Sequence, residues 1–241
     1  MAVSETDIAN LALGKIGGAG DAVSGNAFIS SINGSDKVSS WMKISFPRVR
    51  RRVIRDLATS HAPFRSTLRF LNLDAQLSST PEIGNWTYAF NLPGDCLAVV
   101  SQFDEDSIAR RSQKADYVSN AANIVYQFEE VANEAGTGKI LLTDTLSNTD
   151  QDGAFIEYVI DTPNTASFSE EMIECIATLL ASGVSPVIGK DIETSDNMLV
   201  KYREVAVPNA KRANLFDFNF SARPIPNYKG GRSEVIVKAA T

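Results

Sequence analysis

Several short stretches of the chain hold residue types that could do chemistry, and each competes with a plainer use. Gly136-Thr137-Gly138-Lys139 has the ingredients of a phosphate-binding loop, in which backbone N–H groups and a lysine cradle phosphate oxygens. The spacing fails: Asn133 stands where the first glycine belongs, and Ile140 follows Lys139 where Ser or Thr is needed, so the stretch reads as a hairpin turn. His61 is the only histidine. A catalytic imidazole needs a nucleophile or an orienting carboxylate in a recognisable motif, and none lies near it in sequence, so a helix-ending turn before Pro63 explains it better. Cys96 and Cys175, far apart and with a single histidine, cannot make a usual zinc set. Asp104-Glu105-Asp106 reads as a hydrated loop tip rather than a cation site. The expectation is a chain with no catalytic residue, no cofactor and no metal, and so not an enzyme.

One constellation remains. Arg48, Arg51, Arg52 and Arg55 gather on one arc of a helix, and Trp41 and Ile44 lie on the same side. Four guanidinium groups in a row could grip DNA phosphates, meet another protein, or pair with carboxylates of the same chain. The acidic total, with a net charge of -6 and a pI near 4.9, argues against DNA. A solvated face rarely carries a Trp and an Ile, which favours a protein–protein contact.

The elements that must position this stripe follow from periodicity. Ser4-Glu5-Thr6-Asp7 supplies a capping oxygen with an acidic residue three positions on; Ile8, Leu11, Ala12 and Ile16 follow at helical spacing, and Gly17-Gly18 stops the run. A Gly/Ser-rich loop leads to a second helix capped by Ser35 or Asp36. Its core stripe is Val38, Met42, Phe46, Val49, Val53 and Leu57, and Pro47 should kink or break it. From Trp86 the period shortens to two. Trp86-Tyr88-Phe90 and Ala122-Ile124-Tyr126-Phe128 alternate, while Lys139 to Thr143 and Ala154 to Ile160 are short apolar runs. Helical spacing returns after Ser167-Phe168-Ser169-Glu170, read as a capping box, and a last helix from about Thr194 meets Pro208 as an internal kink or break. Phe216 to Thr241 has no helical period and reads as an extended arm.

The predicted class is therefore α+β: an antiparallel bundle made by the N- and C-terminal helices, an inserted small antiparallel β-domain, and an extended C-terminal arm. The boundaries are residues 1–73 for the first half of the bundle, 74–166 for the β-rich insert, 167–216 for the second half, and 217–241 for the arm. With 241 residues and 44% hydrophobic content, the chain can bury one sizeable core without metal or disulfide, and the two cysteines are expected as buried thiols. No signal segment and no membrane-spanning apolar run is expected. The charge is divided: residues 1–73 hold ten Lys/Arg against five Asp/Glu, 74–170 four against sixteen, 171–200 one against five, and 201–241 eight against three. An acidic middle between basic ends suits docking to a complementary neighbour.

Three ordered stretches carry a family resemblance. They are the helix Asn10-Leu11-Ala12-Leu13-Gly14-Lys15-Ile16-Gly17, the set Phe46-Pro47, Arg50, Ile54, Arg55, His61 and Pro63, and the run Trp86-Thr87-Tyr88-Ala89-Phe90-Asn91-Leu92-Pro93-Gly94-Asp95. In that order they resemble the bacteriophage head-to-tail adaptors of the tail tubular protein A and packaged-DNA-stabilisation group, with their "N-L-A-L-x-x-I-G", "Y-P-x-x-R-x-x-x-L-R-x-H-P-W" and "W-x-Y-x-Y-x-L-P-x-D" patterns. Phe46 replaces the usual tyrosine, and Ala62-Pro63-Phe64 blurs the usual Pro-Trp.

The resemblance implies a structural virion protein, made in the host cytoplasm and located at the head–tail junction. It implies a dodecameric ring beneath the portal that carries the double-stranded DNA channel on to a downstream tail or nozzle protein, with no sequence-specific DNA binding and no membrane. The alternative is a DNA-binding packaging or head-completion factor using the basic helix over 48–55. The expected partner surfaces are Trp41, Ile44, Arg48, Arg51, Arg52 and Arg55 on that helix. On the arm they are Phe216, Phe218, Phe220, Arg223, Ile225, Tyr228, Lys229, Arg232 and the strand Val235-Ile236-Val237.

Overall fold

A computed structural model of the chain describes residues 3–17, 28–58, 67–73, 77, 86–103, 127–133, 135–144, 146, 153–190 and 192–221, with the side chains of 103 and 215–221 excepted. Helix α1, Glu5–Lys15, starts at Ser4, whose hydroxyl accepts from Asp7 N–H while the Asp7 carboxylate accepts from Ser4 N–H, so two otherwise orphaned donors are satisfied. Gly17, at φ 73°, lies just beyond the helix end. Helix α2, Lys37–Ala58, is capped by Asp36, which accepts from Ser39 N–H at 2.9 Å. It runs unbroken through Pro47, where a kink or break was expected, so the break does not occur. The carbonyl that Pro47 leaves without a donor belongs to Lys43, an exposed residue where water can satisfy it.

Helix α3, Glu170–Val184, is the centre of the bundle, with ten of its fifteen residues buried. Its cap is Ser169, accepting from Met172 N–H at 3.2 Å; the expected box at Ser167 is displaced because Thr165–Ser167 forms its own 3-10 turn on Asn164. By length and apolarity the stretch Glu170–Ile188 could cross a bilayer, although no such run was expected, but 67% of its most apolar part is buried in the protein, the pattern of a core helix. Next comes α4, Ile192–Lys201, then a π turn, Tyr202–Ala206, and α5, Val207–Ser221. Pro208 does not break this run. It cannot donate to the Glu204 carbonyl, and the chain widens to a π turn one residue earlier, with Val207 N–H reaching back to Tyr202 C=O. Because α5 continues to Ser221, Phe216, Phe218 and Phe220 lie on a helix, not in an extended arm. The boundary at 216/217 falls inside that helix.

The β-region is two stacked three-stranded antiparallel sheets. The first, in the order β1-β6-β3, consists of Leu68–Leu73, Ala154–Ile160 and Cys96–Phe103. The second, β2-β5-β4, consists of Tyr88–Asn91, Lys139–Thr143 and Phe128–Ala132. Strand β1 was expected to belong to the bundle. Its register against β6, Leu68 opposite Val159 to Leu73 opposite Ala154, moves the start of the β-region ahead of residue 74. Alternation along β6 divides its side chains: Ile156, Tyr158 and Ile160 face the second sheet, while Val159 joins the bundle core. Two irregularities in β3, between Cys96 and Ala98 and between Val99 and Ser101, let Leu97 enter that core and Val100 pack against it. In the second sheet Phe90 and Leu141 face the first, and Ala89, Ile140 and Leu142 face outward into a small cluster with Trp86 and Val131. The result is a layered body of bundle, first sheet and second sheet. It explains why the run Ile140-Leu141-Leu142 is apolar on both faces.

Both cysteines are free and buried, as expected, and burial is the main reason their thiols are pushed up to about 12.

Candidate partner interface

Helix α2 presents two faces. Met42, Phe46, Val53, Ile54 and Leu57 are fully buried against the bundle, while Ile44, Arg48, Arg51, Arg52 and Arg55 form an exposed stripe, with Ile44 61% accessible. The stripe is not uniformly available. The Nε of Arg51 donates to Asp161 Oδ2 at 2.6 Å, and Arg52 lies 3.7 Å from Asp56, one helical turn on. Among the described residues, Arg48 and Arg55 have no carboxylate partner. Trp41 is half-buried, its ring lying over Gly183 of α3 so closely that a Cβ there would sit 2.8 Å from Cη2. Much of Trp41 is therefore used inside the fold, and Ile44 is the large apolar group the stripe leaves exposed.

Arg50, placed by sequence only within a motif, is the residue whose role the stripe concealed. It sits on the buried side, 5% exposed, and reaches Asp161 Oδ1 with Nε at 3.1 Å and Nη2 at 2.7 Å; Glu5 stands 4.0 Å from its Nη1. Asp161 directly follows β6, and its N–H donates to Asp95 C=O at 2.8 Å. Burial pushes the Asp161 carboxyl up, but the hydrogen bonds and charges of Arg51 and Arg50 outweigh it and hold the group below the usual carboxylate range. One carboxylate thus ties α2 to the exit of the first sheet. A signal was present in the sequence: an arginine between Phe46 and Val53 on the apolar face of α2 needs a buried acceptor, although its identity, 111 residues away, could not be read.

A second tether joins α2 to the C-terminal helices. The Tyr202 hydroxyl, on the π turn and 1% exposed, donates to Asp56 Oδ2 at 2.7 Å, and burial followed by that hydrogen bond raises the phenol far above its ordinary value. Beside the π turn is a cavity of about 370 Å³ lined by Glu170, Glu171, Glu174, Lys201, Val205, Ala206 and Asn209. Lys15 pairs with Glu174 at its edge.

The other candidate chemistry resolves into structure. Gly136 (φ 65°) and its neighbours close the β4–β5 hairpin, where Asn133 Oδ1 accepts from Thr137 and Gly138 N–H. A strand follows, not the helix a phosphate loop requires, and the Lys139 ammonium is taken up by Glu130 at 2.9 Å and Leu97 C=O at 2.7 Å. Glu130 also accepts from Val99 N–H, so this pair bridges the two sheets. Several carboxylates of the acidic middle are likewise spent internally, Glu129 on Trp86 Nε1 and Asp144 on Thr87. Among the described residues no group of three or more His, Cys, Asp or Glu is placed to hold a metal ion. His61, Asp104-Glu105-Asp106, and the arm residues Arg223, Ile225, Tyr228, Lys229, Arg232, Val235, Ile236 and Val237 lie outside the described residues.

Compared with models of known protein families and with curated proteins, the chain matches none.

Proposed function

We propose that this chain is a structural subunit of a bacteriophage head-to-tail junction: an adaptor that forms a ring beneath the portal and extends the channel for double-stranded DNA toward a tail or nozzle protein. The observation that carries the reading is the convergence of two of the resembling stretches on one junction. Arg50, from the helix motif, and the carbonyl of Asp95, which ends the strand motif, both bond to Asp161 where the first sheet meets the bundle. Residues of two of the resembling stretches, some forty-five positions apart in sequence, thus act on one junction, as parts of one structural unit would. The exposed stripe of α2 gives such a subunit a surface to dock with. An acidic middle suits a conduit, since electronegative walls do not bind the phosphate backbone of a passing duplex.

The reading assigns the protein no chemical step. Its test is binding of the purified chain to an isolated portal ring, followed by electron microscopy, beside fluorescence anisotropy with duplex DNA over a salt series. Rings seated on the portal and no tight DNA binding are expected. A chain that ignores the portal and binds duplex DNA with a steep salt dependence would overturn it in favour of a packaging factor acting through 48–55.

A further inference from the structure

We infer that two faces on different sides of the bundle form a head-to-tail contact between copies of this chain: the outer face of α2 on one copy and the outer face of α4 on the next. Both helices pack on α3, and they barely touch each other, so neither covers the other's outer face. On α2 that face carries Ile44, one turn before Arg48, with Arg48 and Arg55 unpaired among the described residues. On α4, Ile192, Glu193, Asp196 and Val200 are all exposed and fall within an arc of about 100°. Ile192 is 74% and Val200 50% accessible, high values for large apolar side chains.

Each face joins apolar groups to charge of one sign, and the signs are opposite. Exposed apolar side chains give such a contact its area, and charges of opposite sign on the two faces fix the register between partners. The charge also selects the occupant, because an acidic face with exposed Ile and Val suits neither a nucleic acid nor another acidic face. A basic stripe meeting it is supplied by the same molecule. Since the two faces differ, the contact is heterologous, and its repetition builds a ring where the rotation closes, not a two-fold dimer. The inference takes the existence of a ring from the proposed function but takes its surfaces from the fold alone.

The full-length chain tests this through engineered cysteines, since native Cys96 and Cys175 are buried. An Ile44→Cys chain mixed with a Val200→Cys chain at millimolar concentration under mild oxidation should give a cross-linked pair; neither variant alone should. The double variant should give a ladder. Adding Arg48→Glu and Arg55→Glu should cut the yield by about tenfold or more, and Glu193→Lys with Asp196→Lys on the partner chain should restore it. Circular dichroism of each variant, expected unchanged, separates loss of contact from loss of fold. No mixed cross-link, cross-links within a single variant, or suppression of the mixed cross-link when duplex DNA is present before oxidation would each overturn the inference. Portal binding is scored separately: a ladder without portal binding removes the adaptor reading and leaves the contact, whereas portal binding without a ladder does the reverse.

Discussion

Arg50 and Asp161 show how one pair can set the mechanics of a subunit. Asp161→Asn would leave Arg50 buried with Glu5 as its one remaining carboxylate among the described residues, and breaking a buried pair by removing one partner costs about 3 to 5 kcal/mol. We expect a loss near the lower end in urea unfolding, because Glu5 softens it. Arg51→Ala, whose side chain is 57% exposed, should cost under about 1 kcal/mol. The same pair predicts acid sensitivity. The folded value of Asp161 lies below its unfolded one, so its contribution is complete above about pH 4 and is lost as pH falls through the folded value. Asp161→Asn should flatten that limb of the stability–pH curve, and an unchanged limb would mean other carboxylates carry it. At Gly183 the outcome depends on Trp41. Alanine normally gains up to about 1 kcal/mol over glycine in a helix, but here its Cβ meets the indole at 2.8 and 2.9 Å. Gly183→Ala should shift the Trp41 emission and fail to stabilise, whereas in a Trp41→Ala background the same change should stabilise.

At the scale of elements, caps and turns decide where helices begin. Ser169→Ala should cost about 1 kcal/mol in thermal or urea unfolding, and Ser167→Ala much less, because Ser169 satisfies the Met172 N–H while Ser167 closes a short turn. Equal costs would mean that the boundary of α3 is misplaced. The π turn is a second case. It lets a proline sit two residues into α5 without ending the helical run, and it buries Tyr202 against Asp56. The β4–β5 hairpin is a third, since Glu130 and Lys139 make it the clasp between two sheets.

For the whole molecule, the layered arrangement makes the bundle and the β-region one continuous body: Leu97 and Val159 sit in the helical core, and Asp161 is clamped to α2. Removing residues 222–241 spares every element described above. The deletion is expected to leave circular dichroism unchanged while abolishing portal binding, if the chain's end docks on a neighbour as the adaptor reading requires. Retained binding would show that the end is dispensable for docking. The two thiols offer a check on the integrity of the cores they occupy. Both should resist alkylation in the native protein and react once it is unfolded, because each is buried and its thiolate is disfavoured by burial.

The sequence by itself determined what depends on neighbours within a few positions. The α1 capping box, the strands Lys139–Thr143 and Ala154–Ile160, the hairpin at Gly136, and the separation of α2 into apolar and basic faces all follow from spacing along the chain. Only the tertiary structure decided what depends on residues far apart. Strand β1 has no strong alternation of its own and exists through pairing with β6, some ninety residues away; Pro47 and Pro208 predict a kink or break, but neither ends its helical run, because packing of the surrounding turns against α3 outweighs one lost hydrogen bond. The partition of the arginines was settled the same way. Arg50 is set apart by its place on the apolar face and Arg52 pairs with Asp56 one turn on, both local features, but it is the position of Asp161 in space that commits Arg50 and Arg51 and leaves Arg55, with Arg48, on an open face.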